Sequence, residues 1–230
     1  MRLLEIEFPP LSLRSVCGDG EGSVEMDANL QHVTDISTNL ANNRRAKDEN
    51  LRVMFPDEDE MDRGVALKEM QSPNARMSQS FLTTPSFLGD VGLDPFKRPV
   101  REKISSEDSY YLCAYPSFSV NEMLTVEELR SEVPDKPIIV VNGELDRFRS
   151  GYYPKVFYQK VGAMSEAFIP QFEAVFYIHN FKGRAPGVLY RKYPGNWKVF
   201  RRGRDNEVVE CIHEQDHRPT LREIALKYFA

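Results

Sequence analysis

Long apolar runs are missing from these 230 residues. None approaches the roughly 18 residues that a membrane-spanning helix needs. Cysteine is scarce: Cys17, Cys113 and Cys211 are widely spaced and odd in number, which argues against a disulfide scaffold. Cys113 and Cys211 sit in apolar strand-like runs and read as small buried hydrophobes in a reducing compartment. No strong excess of one charge exists, and a formal net charge of −5 gives no reason to expect nucleic acid or a membrane surface. The phosphate-cradling patterns G-x-x-x-x-G-K-[ST] and G-x-G-x-x-G are absent, and GDGEG at 18–22 is acidic, the wrong sign for an anion. There is no G-x-S-x-G elbow, and no serine or cysteine has a neighbouring histidine to activate it. No catalytic residue is therefore assigned.

What is present is a regular alternation. LLEIEF (3–8), LRVMF (51–55), YYLCAY (110–115), PIIVV (137–141) and EAVFYIHNF (173–181) read as strands. Between them lie amphipathic stretches. One helix is expected from about Asp27, with Leu30, Val33, Ile36 and Leu40 as its buried stripe, and a second over Glu58–Met70. Thr125 with Glu128 forms a capping box for a third. Pro154 suits the first position of a fourth, whose inward face is Phe157, Val161, Met164 and Phe168. Three further strand-like runs, GVLYRKYP, NWKVFRR and EVVECIHE, are joined by turn residues and suggest an antiparallel meander. Pro219, Thr220 and Glu223 open a last helix. The expected fold is α/β: a mixed sheet with parallel βαβ units in the N-terminal two-thirds, then the meander and a C-terminal helix, in one domain over 1–230. Residues 72–106, rich in Pro, Ser and Gly, read as an irregular loop insertion.

HEQDH at 213–217 fits the zinc-protease pattern H-E-x-x-H. That pattern binds metal because a helix sets the two histidines on one face. Here His213 closes a strand and Pro219 opens the next helix, so the segment must turn, and neither His32 nor His179 lies in a third-ligand motif. No metal or other cofactor is expected.

If the early strands are parallel, their carboxyl ends share one edge, where open α/β sheets bind ligands. The densest polar segment leaves the fourth strand: NGELDRFRSGYYP, residues 142–154. Asn142, Glu144, Asp146, Arg147, Arg149, Tyr152 and Tyr153, with Asp57 from the second strand's end, are the ligand-binding candidates. The carboxylates could hold a cation, and the arginines could fork onto a phosphate or carboxylate. The plainer alternative is an internal ion-pair network. Residues 182–204 hold eight basic residues and no acidic one, interleaved with Tyr190, Tyr193, Trp197 and Phe200. Arg191, Lys192, Trp197, Lys198, Arg201 and Arg202 are the partner-docking candidates, against the alternative of a solvated sheet face with its aromatics turned inward.

Taken together, LLEIEFPP, LRVMFPD, PIIVVNGELDRFRSGYYP, FEAVFYI and LYRKYPGNWKVF resemble a plastid and cyanobacterial domain of unknown function. That family is typified by the Low Photosystem II Accumulation protein three of chloroplasts and is also appended to a chloroplast adenylate kinase. The likeness spans nearly the whole chain, with NGELDRFRSGYYP its most specific element. FLGDVGLDPF, in 72–106, departs from it, and the helix that precedes the first strand in similar proteins is absent, which suggests truncation and a lost transit peptide. The resemblance implies a stromal or thylakoid-associated chloroplast protein. It would be non-enzymatic and help photosystem II or other photosynthetic complexes to assemble through a protein partner, with peripheral thylakoid contact and no transmembrane segment. The alternatives are a small-ligand binder or enzyme at the strand edge and, least favoured, an RNA-binding module.

Overall fold

The computed structural model describes residues 2–9, 20–42, 49–67, 76–83, 99–153, 159–182, 185–203 and 207–229. Nine strands form one sheet in the order β3-β2-β4-β5-β1-β6-β7-β8-β9. The parallel half comprises β1 (Leu3–Glu7), β2 (Asn50–Phe55), β3 (Met77–Phe81), β4 (Asp108–Ala114) and β5 (Ile138–Val141). β6 (Phe172–Phe181) joins parallel to β1 and then leads into the antiparallel β7 (Gly187–Lys192), β8 (Trp197–Arg202) and β9 (Val208–Gln215). The expected α/β class, with parallel strands first, a meander after and a closing helix, is what the chain adopts.

Period-two burial sorts the strands into two faces. Leu51, Val53, Phe55, Leu112, Ile139 and Val141 face α1 (Gly20–Ala41), whose Leu30 and Val33 are buried against them. Met54, Tyr111, Cys113, Ile138 and Val140 face the other way, onto α3 (Val120–Glu132), α4 (Leu145–Arg149) and α5 (Gln159–Ala167). β5 is buried at every residue, as a central parallel strand covered on both faces must be. Over the meander, α6 (Leu221–Tyr228) seats Ile224 against Tyr177, Leu189, Trp197 and Val199. No described helix is long and apolar enough to cross a membrane.

Several local expectations need correction. The stretch 72–106 is not irregular throughout: it contains the edge strand β3, paired with β2, and a 3-10 turn at Val100–Glu102. FLGDVGLDPF lies outside the described residues. β3 carries little apolar signal: among the described residues it pairs along one edge only, and Ser80 alone in it is buried. α3 begins six residues earlier than Thr125 predicts. Ser119 caps it, accepting from Asn121 N, while Thr125 sits mid-helix and its hydroxyl donates to Asn121 O at 2.7 Å. α1 starts at Gly20 rather than Asp27, which instead pairs with Arg63 at 2.5 Å. The helix predicted to reach Met70 is the shorter α2 (Glu58–Val65), which Asp57 caps by accepting from Glu60 N. Pro154 and Phe157 lie outside the described residues, but Val161, Met164 and Phe168 are buried as expected. Cys113 is buried; Cys211 is exposed, because β9 is the other sheet edge.

Candidate functional site

The parallel pairing places the ends of β1, β2, β4 and β5 on one sheet edge. The backbone there is unusual. Tyr115, Asn142 and Glu144 have φ of 31°, 50° and 47°, the left-handed region that a side chain normally disfavours. Asn142 is held there by its amide. Its Oδ1 accepts from Phe8 N at 2.8 Å, and its Nδ2 donates to Asn29 Oδ1 at 2.5 Å, tying β5 to β1 and α1.

Segment 142–154 contains an element that its turn-like composition hides. Leu145–Arg149 form the short helix α4, with Leu145 and Phe148 buried beneath. One helical turn projects Asp146 and Arg149 together over β1, and Arg149 meets a residue the sequence reading passed over. Glu5, mid-strand in β1, has a fully buried side chain. Its carboxylate accepts from Arg149 Nη1 at 3.0 Å and Nη2 at 2.8 Å. It also accepts from Arg218 Nη1 at 2.7 Å and Nη2 at 3.2 Å. Arg218 Nη2 reaches Asp146 Oδ2 at 2.8 Å, and the Tyr177 hydroxyl donates to the same oxygen at 2.5 Å. Arg149 lies 3.5 Å from Asp146 as well. Two bidentate guanidiniums on one buried carboxylate form a strong charge-assisted arrangement.

The electrostatics follow from this packing. Burial pushes the Asp146 carboxyl up, but the Arg218 and Arg149 charges outweigh it and hold the group below the usual range. Burial disfavours the Arg218 charge, yet Glu5 and Asp146 leave its pKa raised. Burial and then Asp146 lift the Tyr177 hydroxyl well above its ordinary value. Glu7, the next inward residue of β1, is different. Burial first, then the charges of Glu5, Asp146 and Glu144, push its pKa well up, opposed only by a backbone hydrogen bond at Glu144. Its Oε2 is shut off from solvent and has no hydrogen-bond partner among the described residues. His179 on β6 is held toward its neutral form, chiefly by burial.

Of the ligand candidates, then, Asp146 and Arg149 are brought together, and Glu144 pairs separately with Arg147 at 2.8 Å. Arg147 also donates to Ser117 O, which fixes α4 to the end of β4. Asp57 is spent on its helix cap and Asn142 on its bridge. Tyr153 stacks on Phe148, and Tyr152 is exposed beneath the Arg147 guanidinium. Glu5, Glu144 and Asp146 are thus paired with Arg147, Arg149 and Arg218. Glu5 and Arg218 were findable in principle: acids at alternate positions of a strand expected to be buried demand partners, and Arg218 immediately follows HEQDH.

That motif does not form a metal-binding helix. His213 lies on β9 with its Nε2 2.9 Å from Gln215 Oε1, and exposed His217 pairs with Asp216. Both histidines line a shallow cleft of about 240 Å³ against α6, with Glu223, Lys227 and Tyr228. Glu223 there is committed to the Thr220 capping box. Among the described residues, no three His, Cys, Asp or Glu side chains are grouped to hold a metal ion.

The docking candidates also divide. Trp197 is 1% exposed and belongs to the core, edge-on to Tyr177, so its place at a docking surface is corrected. Arg191 pairs with Glu173 at 2.6 Å and lies over the Trp197 ring. Arg201 is near Glu210, Lys198 near Glu214, and Arg202 donates to Asn180 Oδ1. Lys192 is exposed at the end of β7.

No curated protein and no solved structure matches the chain. One family, described as a domain of unknown function (DUF1995), matches residues 1–226. With nearly every residue covered, the chain belongs to that family.

Proposed function

We propose that the chain is a non-enzymatic plastid protein that supports assembly or accumulation of photosystem II or other photosynthetic complexes. It acts in the stroma or at the thylakoid surface by binding a protein partner. One observation carries the non-enzymatic part of this reading. Arg149 and Arg218, the cations best placed over the strand ends, are both committed to Glu5, so the guanidinium fork that an anionic substrate would require is already filled. The plastid part is supported by the likeness of NGELDRFRSGYYP and its companion motifs to proteins of photosystem II accumulation.

The test is co-purification of the tagged chain from chloroplasts. Photosynthetic subunits are expected to come with it, and isolation without them overturns the reading. The rival, a small-ligand binder at the strand edge, has its own assay. Thermal shift against nucleotides and sugar phosphates should show nothing, whereas a ligand present at about 100 times its Kd would stabilise the fold by about 2.7 kcal/mol. Such a shift, lost in Arg149→Met, would replace the proposal.

A further inference from the structure

Helices cover both faces of the parallel half of the sheet, but among the described residues a helix, α6, covers only one face of the meander. The opposite face has a regular composition. Strand pairing sets Phe176 beside Lys192, Ile178 beside Tyr190 and Tyr190 beside Lys198, then Asn180 beside Val188 and Val188 beside Phe200, with Arg202 next along β8. Phe176, Ile178, Tyr190 and Phe200 are all partly exposed and belong to none of the three packed clusters. Their rings form a chain across the strands, Phe176 to Tyr190 at 6.1 Å and Tyr190 to Phe200 at 6.2 Å. The chain begins at α1, where His32 stacks on Phe8 at 4.0 Å and Phe8 lies 5.2 Å from Phe176. The centre is thus apolar and the rim cationic. Lys192 is exposed, and Glu214 stands 3.5 Å from Lys198.

We infer that this face, Phe176, Ile178, Tyr190 and Phe200 rimmed by Lys192, Lys198 and Arg202, docks an amphipathic helix of a protein partner whose apolar stripe is flanked by acidic residues. The inference rests on the reading of the chain as an interaction protein and names the chemistry of its partner. Three strands span about 10 Å, the width of one helix. A helix laid there would run beside α1 and complete the second helical layer, the arrangement that buries a sheet on both sides. Acidic flanks match the cationic rim. Single-stranded RNA fits less well: these rings meet edge to face rather than standing free as flat platforms, and the face offers fewer cations than a phosphate backbone engages. A lipid surface calls for a cluster of about four to eight basic residues, more than this face carries.

Fluorescence anisotropy with the full chain tests the inference. The probes are two synthetic helical peptides of about 18 residues, five turns, sharing one Leu/Phe stripe and flanked by Glu in one and by Lys in the other. The Glu-flanked peptide should bind, and the Lys-flanked one should not. Lys192→Glu with Lys198→Glu should weaken binding by about tenfold or more, and Tyr190→Asp should abolish it. Leu226→Asp, on exposed α6, should change nothing. Absence of binding, equal binding of both peptides, or binding indifferent to these substitutions overturns the inference. So does capture of an RNA oligonucleotide, of phosphatidylserine vesicles or of a second copy of the chain that the same substitutions remove. Repeating the chloroplast co-purification with the double Lys variant separates the two proposals. Subunits recovered equally with parent and variant would sink this surface and leave the assembly reading standing. Subunits recovered with neither, while the Glu-flanked peptide binds as expected, would sink the assembly reading alone.

Discussion

Arg218, just ahead of α6, lays both terminal nitrogens on the carboxylate of Glu5, 213 residues away in the middle of β1. The last helix is thereby clamped to the central strand through a charge with no solvent access. Such a carboxylate is tolerated only while its partners remain, because an uncompensated buried charge costs several kcal/mol. Arg218→Met should therefore lose about 3–5 kcal/mol of stability in urea unfolding. Adding Glu5→Leu should recover part of that loss, since the orphaned charge disappears. A variant within about 1 kcal/mol of the parent, the value of a surface pair, would show that Arg149 alone suffices for Glu5.

Glu122, near the start of α3, gives the chain a pH dependence. It is 4% exposed and accepts from Phe118 N at 3.1 Å. Burial raises its pKa from 4.5 to about 7 against the backbone hydrogen bonds, and the Asp57 charge adds to the rise. The folded chain therefore holds this proton more tightly than the unfolded chain. Its stabilising contribution is complete below about pH 4.5 and is lost as pH climbs through about 7, a loss on the order of 3 kcal/mol. Glu122→Gln keeps an acceptor for Phe118 N and removes the titration. It should be more stable than the parent at about pH 8 and indistinguishable near pH 4.5, read from urea midpoints. Glu7, raised in the same direction, predicts the same trend for Glu7→Gln. A flat difference between variant and parent across that range would refute the assignment.

The sequence reveals the fold where strands are central and conceals it where they are edges. β5, covered on both sides, reads as PIIVV, and the alternation of such runs with amphipathic stretches predicts the βαβ order. β3 is polar and, among the described residues, pairs along one flank only, so RMSQSF gives no period to detect. The start of α3 was misplaced for a different reason. Thr125 with Glu128 fits a capping box, but Ser119 caps the helix instead, and the added residues bury Glu122 and Met123. At the site, local composition exposes Asp146 and Arg149 but not what they touch. Glu5 and Arg218 lie at opposite ends of the chain, and topology alone joins them.

Trp197 is the only tryptophan, so it reports on the meander without ambiguity. It is 1% exposed, 5.2 Å from the Tyr177 ring, and faced by the Arg191 and Arg218 guanidiniums at 5.2 and 4.9 Å. Its emission should be resistant to acrylamide until the protein unfolds. Trp197→Ala should cost about 3–5 kcal/mol, the range for removing a large core aromatic. Arg218→Met should admit quencher below the unfolding midpoint, because it removes one wall of the indole site. Quenching as rapid as that of free indole in the native parent would contradict the burial.

Gly187 and Gly151 should fail for opposite reasons when given a side chain. A Cβ at Gly187 would sit 2.1 Å from the Phe229 ring and 2.7 Å from the Phe200 carbonyl oxygen, at the start of β7. The ring can swing aside, but the carbonyl belongs to the neighbouring strand and cannot. Gly187→Ala should lose about 1–3 kcal/mol, the range for overpacking. Phe229→Leu in the same chain should restore only a fraction, leaving the backbone conflict. Gly151 has open space around it but φ of +73°, so its cost is conformational. Gly151→Ala should lose about 1–2 kcal/mol, and Gly151→Asn less, because asparagine enters the left-handed region more readily. Urea midpoints of the five variants decide the matter. If asparagine rescues position 187 as well as 151, the obstacle at Gly187 is backbone conformation and not the approach of β8.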